Sequence, residues 1–176
     1  MKTIALAVIA ATAGLTHAAQ YVIDVSGTQF WDEQGASINE TLSVFLGPQA
    51  HITGFSWDVN LTTLTAPGLD FPSWASEATI LLDGAYSIAF GHADPFGVVN
   101  ENYSGSIDLD HYIGADGYID IEFYESFDDA SGEVDAFFGA GSTITIEGCA
   151  FLPDCPTPGS LAAFGTVGLI TTRRRR

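Results

Sequence analysis

The chain has 176 residues, of which 22 are acidic and five are Lys or Arg. All 22 acids lie between Asp24 and Asp154 and no Lys or Arg does, so this body carries a formal charge of −22. Such a surface repels nucleic acid, whose phosphates need cationic partners, while a hydrophobic fraction of 47 % excludes a disordered acidic chain.

Residues 1–18 have the plan of a secretory signal peptide. Lys2 gives one positive charge, residues 4–15 are apolar, and Thr16 and Ala18 stand three and one positions before an expected cut after Ala18. The apolar run is too short for a permanent membrane span. Residues 19–154 are enough for one domain with its own core.

Through this body the hydrophobic pattern has a period of two. In 52–62, Phe55, Trp57, Val59 and Leu61 alternate with Ser56, Asp58, Asn60 and Thr62, which puts apolar groups on one face of a strand. Residues 117–124 and 142–147 behave likewise, and shorter strands are expected at 21–25, 41–46, 78–82, 86–90 and 106–109. Gly, Pro, Asn and Asp clusters between them supply turns. Short strands, each with one wet face, predict an all-β fold. The expectation is an antiparallel β-sandwich of jelly-roll type, with an immunoglobulin-like topology as the alternative. A signal helix precedes it and a short hydrophobic helix ends the chain. Trp31, Trp57 and Trp74 are read as core or corner residues.

Acidic residues crowd the stretch from Asp120 to Asp135. Asp120, Glu122, Glu125, Asp128 and Asp129 lie among Phe123, Tyr124 and Phe127, and two carboxylates astride a sugar could hydrolyse it. Period two, however, puts Asp120 and Glu122 on the polar face of a strand, so a solvated face running into an acidic loop is the simpler reading. The chain is therefore read as non-enzymatic, with no obligatory cofactor. Asp128, Asp129, Glu133 and Asp135 form the candidate site for a structural calcium ion, since hard cations take oxygen ligands from flexible loops; their spacing is not that of an EF-hand. His51, His92 and His111 are scattered and are read as surface turn residues. Cys149 and Cys155 are the only cysteines, and in an exported protein they are expected to form a disulfide.

The last segment, 155–176, has a different character. Pro156-Thr157-Pro158-Gly159 precedes an uncharged run, and Arg173, Arg174, Arg175 and Arg176 close the chain. Residues 159–172 would reach roughly 21 Å as a helix, against a hydrocarbon core of about 30 Å. Flanking arginines stay on the cytoplasmic side during export. A proline motif, an apolar helix and an arginine cluster together resemble the PEP-CTERM sorting signal. Thr157 stands where that family usually has Glu, and Thr166, Thr171 and Thr172 interrupt the run. The resemblance covers about residues 156–176. It implies export by a Gram-negative-type bacterium, transient membrane insertion, and processing by an exosortase-type membrane transpeptidase in cells that make extracellular polysaccharide. The expected role is structural or adhesive, at the cell surface or in the extracellular matrix. The alternative is a secreted carbohydrate-binding module or polysaccharide-active enzyme.

The charge alone makes one prediction. Screening lengths fall from about 30 Å at 0.01 M salt to about 10 Å at 0.1 M, so sodium chloride should raise the melting temperature progressively. A calorimetric series that shows no salt dependence would mean that carboxylate repulsion does not oppose folding.

Overall fold

The computed structural model describes residues 19–65, 70, 73–91, 100–128 and 132–149. Ten strands and no helix occur among them: β1 (Ala19–Asp24), β2 (Gln29–Phe30), β3 (Glu40–Phe45), β4 (His51–Thr63), β5 (Ala78–Leu82), β6 (Tyr86–Ala89), β7 (Glu101–Tyr112), β8 (Tyr118–Glu125), β9 (Ala136–Phe138) and β10 (Thr143–Cys149). The chain is all-β, and every strand pairing is antiparallel. The expected signal helix and terminal helix lie outside the described residues.

The 13-residue β4 organises the first sheet. Along one edge it pairs with β7 over almost its whole length. Its other edge is divided: residues 51–58 pair with β10, and residues 61–63 with β9. Beyond these, β1 pairs with β10 and β2 with β9. The second sheet has the order β3-β8-β5-β6. Against β10 the register passes from Ile52 to Gly54 while β10 advances one residue, so Thr53 is bulged there; against β7 the extra residue is on β7, where Leu109 and Asp110 span Thr53. Gly148 sits opposite the Thr53 bulge, where a Cβ would come within 2.6 Å of the His51 carbonyl oxygen. Only glycine lets the two backbones approach so closely there.

Phe55, Val59 and Leu61 of β4, with Ile144 and Ile146 of β10, meet Ile119, Ile121 and Phe123 of β8 and Ile80 and Leu82 of β5 in one hydrophobic cluster. Phe30 is its hub. Its fully buried ring lies edge-to-face against Phe138 at 5.0 Å, Phe123 at 6.0 Å and Phe90 at 6.4 Å. That geometry sets the positive rim of one ring against the negative face of the next. The two-residue β2 thus owes its place to one side chain.

His51 and His111, expected in surface turns, are strand residues paired with carboxylates. His51 opens β4, contacts Asp110 at 2.8 Å and stacks on Tyr112 with ring centroids 4.3 Å apart. His111 of β7 contacts Asp83 in the β5–β6 turn at 2.5 Å, with Tyr86 edge-on to the imidazole. The first pair lies within one sheet, whereas the second joins the two. His92 lies outside the described residues.

The His111–Asp83 clasp is half-buried on both sides. An intramolecular hydrogen bond of this kind is worth on the order of 1 kcal/mol net. His111→Ala should therefore lower the melting temperature by a few degrees, whereas Asp110→Ala, which removes a partner that is 86 % exposed, should barely change it. Equal effects of the two substitutions would show that the clasp does not tie the sheets.

Candidate functional site

β6 and β7 are the outer strands of different sheets, and among the described residues each is paired on one side only. Between their free edges lies an open cleft of about 370 Å³, lined by Trp57, Ala89, Phe90, Gly91, Glu101, Asn102, Tyr103 and Ser104. Backbone groups form its rims. On β4, the Asn60 amide donates to Ser142 Oγ at 2.9 Å and the Asn60 carbonyl accepts from Gly139 at 2.6 Å. Asn60 therefore turns its backbone away from β7, so its cross-strand partner Asn102 is a non-hydrogen-bonded residue of that ladder. By the alternation of an antiparallel pair, Asn102 and Ser104 aim their backbone groups away from β4, toward the cleft. Opposite them, the Phe90 amide donates to the Ala78 carbonyl at 3.1 Å. Ala89, the last residue of β6, by the same rule faces away from β5, and Gly91 lies beyond the strand against the Ala75 backbone.

Three aromatic residues underlie the rims. Trp57 is opposite Gly105, where a Cβ would come within 2.4 Å of Trp57 Cζ2. The indole thus occupies the space a side chain on β7 would take. It meets Phe90 edge-to-face at 5.9 Å. Its Nε1–H is withdrawn from solvent and has no hydrogen-bond acceptor among the described residues. Tyr103, nearly buried, donates its hydroxyl to Glu101 Oε2 at 3.1 Å. Glu101 is the one carboxylate among these lining residues, and it is exposed. The Asn102 side chain points to the other face of the sheet, donating to Asp58 and Asn60 at 2.8 and 3.1 Å.

The sequence singled out a different region, and the structure disperses it. Asp135 is fully buried, with its amide donating to the Phe30 carbonyl at 3.0 Å and its carbonyl accepting from Leu64 at 2.7 Å. Asp128 is half-buried and Glu133 exposed, while Asp129 lies outside the described residues. Among the described residues no three His, Cys, Asp or Glu side chains are grouped to hold a metal ion. Asp120 and Glu122 occupy the outer face of β8 as expected. Asp120 accepts from the Ser43 hydroxyl; Glu122 accepts from the Gly35 amide at 2.6 Å and from Asn39 Nδ2 at 2.8 Å. Glu125 departs from the solvated-face reading, because it is fully buried. Period two carries it to the face of Ile119, Ile121 and Phe123, a signal that was present in the spacing.

Cys149 ends β10 opposite His51. Its expected disulfide partner Cys155, the Pro156-Thr157-Pro158-Gly159 motif, Arg173 to Arg176 and the cleavage position Ala18 all lie outside the described residues. Trp31 is half-buried and Trp74 is 42 % exposed, its amide donating to Glu77 Oε2 at 2.7 Å. The β6–β7 cleft was not legible in the sequence, because it is built from backbone edges and from aromatic residues that scan as core.

The contact of Trp57 with Gly105 is testable. Gly105→Ala should displace the indole, shift tryptophan emission and destabilise the fold by about 1–3 kcal/mol, the usual cost of overpacking. Unchanged emission and melting would show that the indole does not rest on the Gly105 backbone. No protein-family model matches this chain, and comparison with curated proteins and with solved structures finds no match.

Proposed function

We propose that this chain is an exported protein of the cell surface or extracellular matrix, with a non-enzymatic structural and adhesive role, sorted through its C-terminal tail. One observation carries the reading. β1 and β10, the first and last described strands, pair antiparallel with Ala19 opposite Gly148, so the two ends of the described body, which the expected signal and sorting segments flank in the sequence, lie side by side.

The body itself reads as a jelly-roll sandwich. The order β1-β10-β4-β7 in one sheet and β3-β8-β5-β6 in the other is that of two interleaved Greek keys. It favours this topology over the immunoglobulin-like alternative, whose sheets group the strands differently.

The adhesive role draws support from where the two ends lie. Ala19 pairs with Gly148, and Cys149 is opposite His51 at the start of β4. The cleft is opposite residues 57–60 of the same strand, roughly 20–30 Å away at about 3.3 Å per residue. A body held through the segment after Cys149 presents the cleft at its far end. The non-enzymatic reading rests on Asp120 and Glu122, the pair that prompted a hydrolase hypothesis. Both are committed to hydrogen bonds with Ser43, Gly35 and Asn39. An exosortase-type transpeptidase is the proposed processing partner, and extracellular polysaccharide the proposed setting.

Intact mass of protein recovered from the cell surface or medium tests the sorting. The mature chain should lack residues 1–18 and Arg173 to Arg176, with a new carboxyl end near Pro156 to Gly159. A secreted chain that keeps all four arginines would overturn the sorting reading while leaving export standing.

A further inference from the structure

We propose that the cleft between β6 and β7 binds an uncharged sugar ring, held at its rim by strand-edge backbone groups and from beneath by Trp57, Phe90 and Tyr103. This rests on the adhesive reading above and names what the far end of the body would hold.

The lining determines the chemistry of the occupant. Each rim offers backbone amides and carbonyls, at Ala89 on one side and at Asn102 and Ser104 on the other. A ligand that satisfies both must donate and accept hydrogen bonds around its periphery while laying an apolar face on aromatic rings. Sugar hydroxyls do both, and the C–H faces of a pyranose supply the apolar surface. Few groups fix such a ligand and each must be matched, because a polar group desolvated without a partner costs free energy. The Trp57 indole offers the ligand its ring, since its N–H is withdrawn from solvent. The Glu101 carboxylate, oriented by the Tyr103 hydroxyl at 3.1 Å, accepts from a sugar hydroxyl. The volume of about 370 Å³ lies at the small end of ligand pockets, about 300–1,000 Å³.

Charge restricts the sugar further. Between Asp24 and Asp154 the chain holds 22 acids and no Lys or Arg. A uronate, a sulfated sugar or a phosphate would meet repulsion over the whole approach and a carboxylate in the cleft itself. An extended peptide added to the edge of β7 is the rival occupant, since free edges accept strands. The facing edge is the four-residue β6, and Glu101, Asp108 and Asp110 stud β7, the kind of charge that discourages edge pairing.

The test uses the full chain, with ¹⁵N-indole labelling to resolve the N–H signals of its three tryptophans. The probes are cellohexaose, mannohexaose and N-acetylchitohexaose as neutral sugars, oligogalacturonate as the anionic one, chitosan hexamer as the cationic one, and an oligo-Val-Thr peptide as the strand. At least one neutral probe should move the Trp57 signal saturably with a dissociation constant of about 1 mM or tighter, leaving Trp31 and Trp74 in place. Glu101→Gln and Tyr103→Phe, which change little volume, should each weaken that binding about tenfold with unaltered melting. Absence of saturable movement with every neutral probe up to about 10 mM overturns the proposal. So does equal binding of oligogalacturonate, or binding only of the cationic probe or the peptide. None of these outcomes touches the sorting reading, which depends on the mass of the secreted chain.

Discussion

A folded body with carboxylates and neither ammonium nor guanidinium must satisfy its acids with neutral donors. This constraint runs through the polar structure of the protein. Glu122 takes a backbone amide and an asparagine, Asp120 a serine hydroxyl, Asp58 another asparagine, Glu147 the amide of Gln20, and Glu77 the amide of Trp74. The two described histidines are both spent on aspartates. Asp24 shows what such donors do to titration. Hydrogen bonds from the hydroxyl and the amide of Ser26 hold its carboxyl below the ordinary value, so that the charged form persists further into acid. Each of these contacts also fixes a loop or pairs two strands, so the acids serve as acceptors that pin backbone.

The same constraint leaves most of the burial to apolar side chains, although Glu125 and Asp135 are enclosed as well. With no cation to accompany a carboxylate inward, the free energy of folding must come largely from the cluster around Phe30 and from the alternating faces of β4, β8 and β10. β4 bears the most connections, because three other strands share its two edges. Its inward residues change along its length from Phe55 through Trp57 to Val59 and Leu61. At Trp57 the opposing strand supplies only Gly105, and the cleft opens beside that pair.

Gly148 packs against His51 at the start of β4, and the cleft lies beside residues 57–60 of the same strand. Among the described residues β6 and β7 are the outer strands of different sheets, and their edges flank the cleft.

The amino-acid sequence by itself determined the strands with clean alternation. Residues 117–124, 142–147 and 52–62 reappear as β8, β10 and β4 with the expected faces inward, because period two is a local property of a pleated chain. It also determined the overall charge, and that Asp120 and Glu122 face outward. Tertiary structure decided the rest. β2 and β9 are two and three residues long and exist because Phe30 and Phe138 pack on each other and on Phe123. The first half of β7 has no apolar alternation of its own, since Gly105 yields its place to Trp57 from the neighbouring strand. Glu125 and Asp135 are drawn inside by the strands that carry them. The cleft depends on two backbone edges from different sheets, and such an edge bears no mark in residue type. Every residue here but proline has both an amide and a carbonyl, and only the neighbouring strand, or its lack, determines which are left facing a ligand.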